Sequence, residues 1–200
     1  MRTVLLISGG LDSAALTAWV RPDHCLYIDY GQRPAVAEGR AARQVATELE
    51  VPFDAVSVPA AVIGRGLMAD TVHGSGPDGV SPEWWPYRNQ FLITIAAAWG
   101  VQRGFEAVLI GTVASDGARH ADGRGEFLSG MDTVLRLQEG GVRLQAPASH
   151  LSAAELLAVS GISDAVIGWT HSCHRANLPC ANCPGCVKHA EVLHRAGRLR

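Results

Sequence analysis

The chain has 200 residues, 48% hydrophobic and 18% charged, with a formal net charge of -2 and a sequence pI of about 6.4. That apolar content excludes a disordered chain, and the length suits one domain or one domain with a small appendage. The slightly acidic balance argues against gripping an extended nucleic acid, whereas a few arginines and helix N-termini suffice for one triphosphate.

The first element is the apolar, β-branched run 3–7, expected to be a strand buried on both faces. It ends at Ser8, too short to span a membrane or direct export, so a cytoplasmic setting with no membrane partner is expected. Residues 12–20 read as a helix stopped before Pro22, 25–28 as a second strand, 36–50 as a second helix and 53–58 as a third strand. Residues 59–86 are rich in glycine and proline and lack a period, which predicts a long functional loop. Its Trp84-Trp85-Pro86 run reads either as a contact surface for a homodimer or as a buried loop anchor. Beyond it come a helix over 89–104, a strand over 107–110, a helix over 126–138, a short strand near 142–144 and a helix over 152–159. Strands alternating with helices predict an α/β fold with a Rossmann-like parallel sheet. The expected division is an α/β domain over 1–170 and a metal-binding segment with a C-terminal helix over 171–200.

Between the first strand and first helix stands Ser8-Gly9-Gly10-Leu11-Asp12-Ser13. Two glycines let backbone N–H groups approach a phosphate, and the helix N-terminus adds favourable partial charge. Ser8 and Ser13 offer hydroxyl donors, while Asp12 would repel phosphate and is better suited to holding Mg²⁺ or capping the helix. No lysine follows the last glycine, so the string is not a Walker loop; the only lysine is Lys188. It resembles the pyrophosphate loop (PP-loop) of the ATP pyrophosphatases, which split ATP to AMP and pyrophosphate while adenylating a substrate. At the end of the second strand, Ile28 and Tyr30 are candidates to flank adenine, and Asp29 or Gln32 to bond nucleotide or metal.

Cys173, Cys180, Cys183 and Cys186 follow a C-x6-C-x2-C-x2-C spacing, with Pro179, Pro184 and Gly185 supplying turns. Four thiolates suit the closed tetrahedral sphere of structural Zn²⁺ and leave no open position for chemistry. An iron–sulfur cluster takes the same ligands, and Cys180–Cys183 alone has the spacing of a redox pair. Cys25 lies mid-strand and reads as a small core residue.

Taken together, SGGLDS at 8–13, DYGQR at 29–33, RNQFL at 88–92, the 122–127 stretch and the T-x-S-C at 170–173 running into CxxCxxC resemble the 7-cyano-7-deazaguanine synthase (QueC) family. The resemblance implies a zinc-containing ATP pyrophosphatase fold. It implies conversion of 7-carboxy-7-deazaguanine and ammonia to the nitrile through adenylated acid, amide and adenylated amide. On that reading Ser8, Gly9, Gly10, Leu11, Asp12, Ser13, Ile28, Tyr30 and Gln32 bind ATP. Arg88, Asn89, Asp122 and Arg124 contact the acid, with Asp122 accepting from its guanine-like N–H edge. Asp12, Ser13, Arg88 and Arg124 are the catalytic candidates.

The chain departs from the family pattern at Tyr87, at 118–122, at His174 and at Ala153, where a lysine is expected. Arg119, His120 and Lys188 are the candidates to replace that cation. Because these departures lie on the acceptor side, a rival reading is a QueC-like enzyme of an antiphage system that joins the activated deazaguanine to a protein amine. A second alternative is a tRNA-modifying enzyme on the same loop, which would need a basic flank and a catalytic cysteine outside the metal site.

Overall fold

In the computed structural model, which describes residues 1–69 and 81–198, alternate side chains of each inner strand enter two different cores. The strands are β1 (Thr3–Leu6), β2 (His24–Asp29), β3 (Phe53–Ser57), β4 (Ala107–Leu109) and β5 (Arg143–Gln145). They form one sheet in the order β3-β2-β1-β4-β5, and every pairing is parallel. In β1 Val4 and Leu5 are both fully buried yet face opposite ways. Continuous apolar runs are the sequence form of strands covered on both sides, as parallel crossovers require.

Leu5, Cys25, Tyr27 and Leu109 face helices α1 (Leu11–Val20), α2 (Ala35–Glu48), α6 (Ala153–Ser160), α7 (Asp164–Ile167) and α8 (Pro184–Arg195). Val4, Leu26, Ile28 and Val108 face α3 (Arg88–Val101) and α5 (Gly125–Arg136). A short helix, α4 (Asp116–Arg119), follows β4. Helix α8 contributes Val192 and Leu193 to the same core as Leu16 and Leu156 and lies against α6.

The helix starts follow local chemistry. At α6, Ser152 accepts from Glu155 N while Glu155 Oε2 accepts from Ser152 N, a reciprocal box visible as Ser-x-x-Glu. The helix expected over 36–50 ends at Glu48, where Glu50 takes φ 54° and turns the chain into Val51. The one expected over 89–104 ends at Val101, and Gly104 adopts φ 71°. Helices α4 and α7 were below the length at which periodicity is readable from sequence.

The loop expected over 59–86 carries 3₁₀ turns at Ala61–Ile63 and Gly66–Met68; its portion 70–80 lies outside the described residues. Trp85 is buried with Tyr30, Ala60, Met68 and Ala69, its ring centroid 4.8 Å from that of Tyr30. Of the two readings of the tryptophan pair, Trp85 therefore takes that of a loop anchor. No described helix is long and apolar enough to cross a membrane.

Candidate active site

The strand order reverses at β1, whose neighbours β2 and β4 lead to opposite edges, and such a switch point leaves a crevice at the strands' carboxyl ends. A cleft of about 290 Å³ opens there. Ser8, Gly10, Leu11, Asp12, Ser13, Ile28, Tyr30, Gln32, Arg88 and Asn89 line it; Gly9, Asp122 and Arg124 do not.

The loop after β1 is held from within. Ser13 Oγ donates to the Gly10 carbonyl at 3.0 Å and lies 3.2 Å from Ser8 Oγ, while Ser8 Oγ accepts from Gly10 N. Gly9 turns away from the cleft with φ 78°; a Cβ there would lie 2.6 Å from the Glu38 carbonyl oxygen. Glycine at this position is thus what allows α2 to approach the loop. Both hydroxyls and the first turn of α1 remain on the cleft side, where helix N–H groups lack intrahelical acceptors.

Asp12, in that first turn, accepts from Lys188 Nζ at 2.8 Å, and the same ammonium lies 3.2 Å from Asp116 Oδ1. Burial raises the Asp12 carboxyl above its ordinary value, and the Lys188 charge only partly offsets this. Burial also disfavours the Lys188 ammonium, but Asp12 and Asp116 outweigh it and hold that group above its usual range. All three groups line the cleft, so one cation and two carboxylates stand beside the SGGLDS loop.

The strand-end residues form the opposite wall. Gln32 is buried: its Oε1 accepts from Tyr30 N at 2.9 Å, and its Nε2 donates to Tyr27 Oη at 2.9 Å and Glu38 Oε2 at 2.8 Å. Burial drives Glu38 up to about 7, against the Gln32 hydrogen bond and the Arg88 charge. Arg88 opens α3 beneath this wall, with Nη1 3.3 Å from Met68 Sδ. Asn89 donates its backbone N–H to Asp122 Oδ2 at 3.1 Å and its Nδ2–H to the Asp122 carbonyl at 3.0 Å. The Asp122 carboxylate thus satisfies the start of α3, and Arg124, exposed, donates from Nε to the Gly117 carbonyl at 3.3 Å.

The four cysteine sulfurs lie within 4.8 Å of one another, with Cys180–Cys186 and Cys173–Cys183 each at 4.0 Å. A tetrahedral zinc with bonds near 2.3 Å separates its sulfurs by about 3.8 Å, so the donor set fits such an ion. Cys183 also caps α8, accepting from Cys186 N at 3.4 Å. The same knuckle touches the cleft from two sides. His171 N donates to the Gly9 carbonyl at 2.8 Å, two residues before Cys173, and α8 carries Lys188 two residues beyond Cys186. Ser172 Oγ lies 3.0 Å from His189 Nδ1, and a side chain at Gly185 would overlap the Ser172 carbonyl, which fixes these two segments together.

The sequence offered no signal for three further cleft residues, Glu38, Glu83 and Asp116. Glu83 sits in the aperiodic loop and is only 2% exposed; it pairs with Arg119 and lies 3.3 Å from His120 Nε2. Burial raises its carboxyl, but the His120 hydrogen bond and Arg119 charge win and lower it to about 2. Asp116 follows β4 across the switch point, a position that only the strand order identifies.

A family model described as queuosine biosynthesis protein QueC matches residues 2–197. A 7-cyano-7-deazaguanine synthase of Methanospirillum hungatei JF-1 is 29% identical over 212 residues, covering 98% of this chain and 96% of its own length. One from Pseudomonas fluorescens Pf0-1 is 30% identical over 213 residues, covering 98% of this chain and 92% of its own. Among solved structures, the U34-tRNA thiolase NcsA from Methanococcus maripaludis with its [4Fe-4S] cluster superposes at a TM-score of 0.57 with 14% identity. That match covers 100% of this chain and 66% of the thiolase, and it shows a shared fold, the PP-loop type of parallel α/β sheet. With the match running almost end to end, the chain belongs to the QueC family.

Proposed function

We propose that this protein is an ATP-dependent carbon–nitrogen ligase that adenylates 7-carboxy-7-deazaguanine and passes the acyl group to ammonia, toward 7-cyano-7-deazaguanine. The observation that carries this reading is the SGGLDS loop at the switch point with Lys188 beside Asp12, joined to the 29–30% identity with synthases of that name. A carboxylate is a poor electrophile because oxide is its leaving group. Attack of its oxygen on the α-phosphorus of ATP forms the acyl-adenylate and releases pyrophosphate. Ammonia then adds to the carbonyl, AMP departs, and a proton is lost to give the amide. A second adenylation, on the amide oxygen, lets AMP leave again with loss of two protons, giving the nitrile.

No protein nucleophile is required; positioning and charge neutralisation carry the rate. Ser8, Ser13 and the first-turn amides of α1 bind the leaving pyrophosphate and Lys188 neutralises it, while Asp12 and Asp116 would hold Mg²⁺, which would add charge neutralisation at the phosphates. Ile28 and Tyr30 form the adenine wall. Arg88 and Asn89 face the acid. The four cysteines hold a structural Zn²⁺, which fixes the knuckle and the start of α8. Cys25, the one cysteine outside the cluster, is fully buried and its thiol is pushed by burial up to about 12. It is unsuited to carry sulfur, which favours ligation over tRNA thiolation. A cytoplasmic setting accords with free thiolate ligands.

Mass spectrometry of products from protein, ATP, Mg²⁺ and the acid, with and without ammonia, tests the reading. Amide and nitrile are expected only with ammonia. Adenylation without either product would redirect the reading to a larger acceptor such as a protein amine, and no acid-dependent ATP–pyrophosphate exchange would overturn it.

A further inference from the structure

One carboxylate in the cleft is half used. Glu83 Oε1 takes both of its protein partners, Arg119 and His120 Nε2, whereas Glu83 Oε2 is buried with no hydrogen-bond partner among the described residues. A buried carboxylate oxygen left without a donor is costly, because it has given up water without gaining a partner. The surroundings define what donor would complete it. Arg119 already compensates the charge of Glu83, and Arg88 and Arg119 bring two guanidinium groups to the same cleft beside His120 and His174. A cationic ligand would be repelled there, so the fitting group is a neutral N–H on a flat heterocycle. His174, in the same cleft, likewise buries its Nδ1 with no partner among the described residues.

Resting on the function proposed above, we infer that Glu83 is a specificity-determining residue that accepts, through Oε2, from the adjacent N1–H and 2-amino donors of the deazaguanine ring. This acceptor role was expected of Asp122, which does not line the cleft and whose Oδ2 accepts from Asn89 N. Arg119 and His120 act as positioning residues: by occupying Oε1 they turn the free oxygen to the ligand.

The test compares 7-carboxy-7-deazaguanine with its analogue lacking the 2-amino group, each titrated calorimetrically into wild-type protein and Glu83→Gln. Wild type should prefer the amino-bearing acid by about tenfold or more, the size expected when a hydrogen bond to a charged group is lost. In Glu83→Gln that preference should collapse to within about twofold while ATP affinity stays at the wild-type level. If Glu83 only braced Arg119 and His120, the variant would weaken both acids equally and keep their ratio, overturning the assignment. Equal binding of the two acids by wild type would overturn it too, while leaving ligase activity intact. Failure of wild type to bind or adenylate either acid would bring down the parent function and this assignment with it.

Discussion

Lys188 Nζ stands 2.8 Å from Asp12 Oδ2, joining the first turn of α1 to the last helix across 176 positions of chain. This contact ties the C-terminal knuckle to the SGGLDS loop, since Cys183 caps α8 and the helix carries the lysine in its second turn.

Lys188→Met removes the only ammonium at the loop and leaves Asp12 and Asp116 facing one another. Loss of a charge-neutralising group at a transferring phosphate costs on the order of 3–4 kcal/mol of barrier, so acid-dependent ATP–pyrophosphate exchange should fall by about a hundredfold or more. An arginine at this position should restore little, because its planar fork cannot reproduce a compact point charge. Unchanged exchange in the methionine variant would exclude Lys188 from the phosphate site.

Gly9→Ala meets two penalties at once, φ 78° and a Cβ placed 2.6 Å from the Glu38 carbonyl oxygen. Strain of this kind costs roughly 1–3 kcal/mol, a fall in Tm of about 3–10 °C for a chain of this size. Differential scanning fluorimetry should register the drop, together with weaker ATP binding as α2 is pushed off the loop. A variant as stable as wild type would show that α2 does not rest on Gly9.

Metal removal should be felt at the nucleotide. His171 N–H holds the Gly9 carbonyl and Lys188 holds Asp12, and both chain segments leave from the cysteine cluster. One metal per chain is expected by elemental analysis, and zinc predicts no visible absorption band whereas an iron–sulfur cluster predicts one. Chelation, or Cys183→Ser, should lower Tm and weaken ATP binding in parallel. ATP binding untouched by complete metal loss would mean that the two sites are independent.

Glu38 makes stability depend on pH. Burial lifts its carboxyl to about 7 from 4.5, so the folded chain keeps a proton that the unfolded chain has released. Stability therefore falls as pH rises through about 4.5 and levels off above about 7, a penalty of up to about 3 kcal/mol. Glu38→Gln retains an acceptor for Gln32 without the charge, so its Tm should exceed that of wild type at pH 8 and match it at pH 4. Equal Tm differences at both pH values would show that Glu38 titrates normally.

Much of this protein was legible along the chain. The apolar runs 3–7, 25–28 and 107–110 declare strands covered on both faces, because local periodicity and turn chemistry are properties of neighbours in sequence. SGGLDS and the four cysteines are equally local: their chemistry follows from spacing, and the structure brings the sulfurs together as that spacing requires. What only the tertiary structure decided are pairings between distant segments. Asp122 and Arg124 carry promising side chains, yet the first satisfies the start of α3 and the second lies exposed against Gly117, while Glu83, anonymous in an aperiodic loop, lines the cleft. Asp116 meets Lys188 because β4 lies beside β1, and strand order is set by how helices cover a twisted sheet. Such juxtapositions arise from packing many residues at once, and no window of sequence contains them.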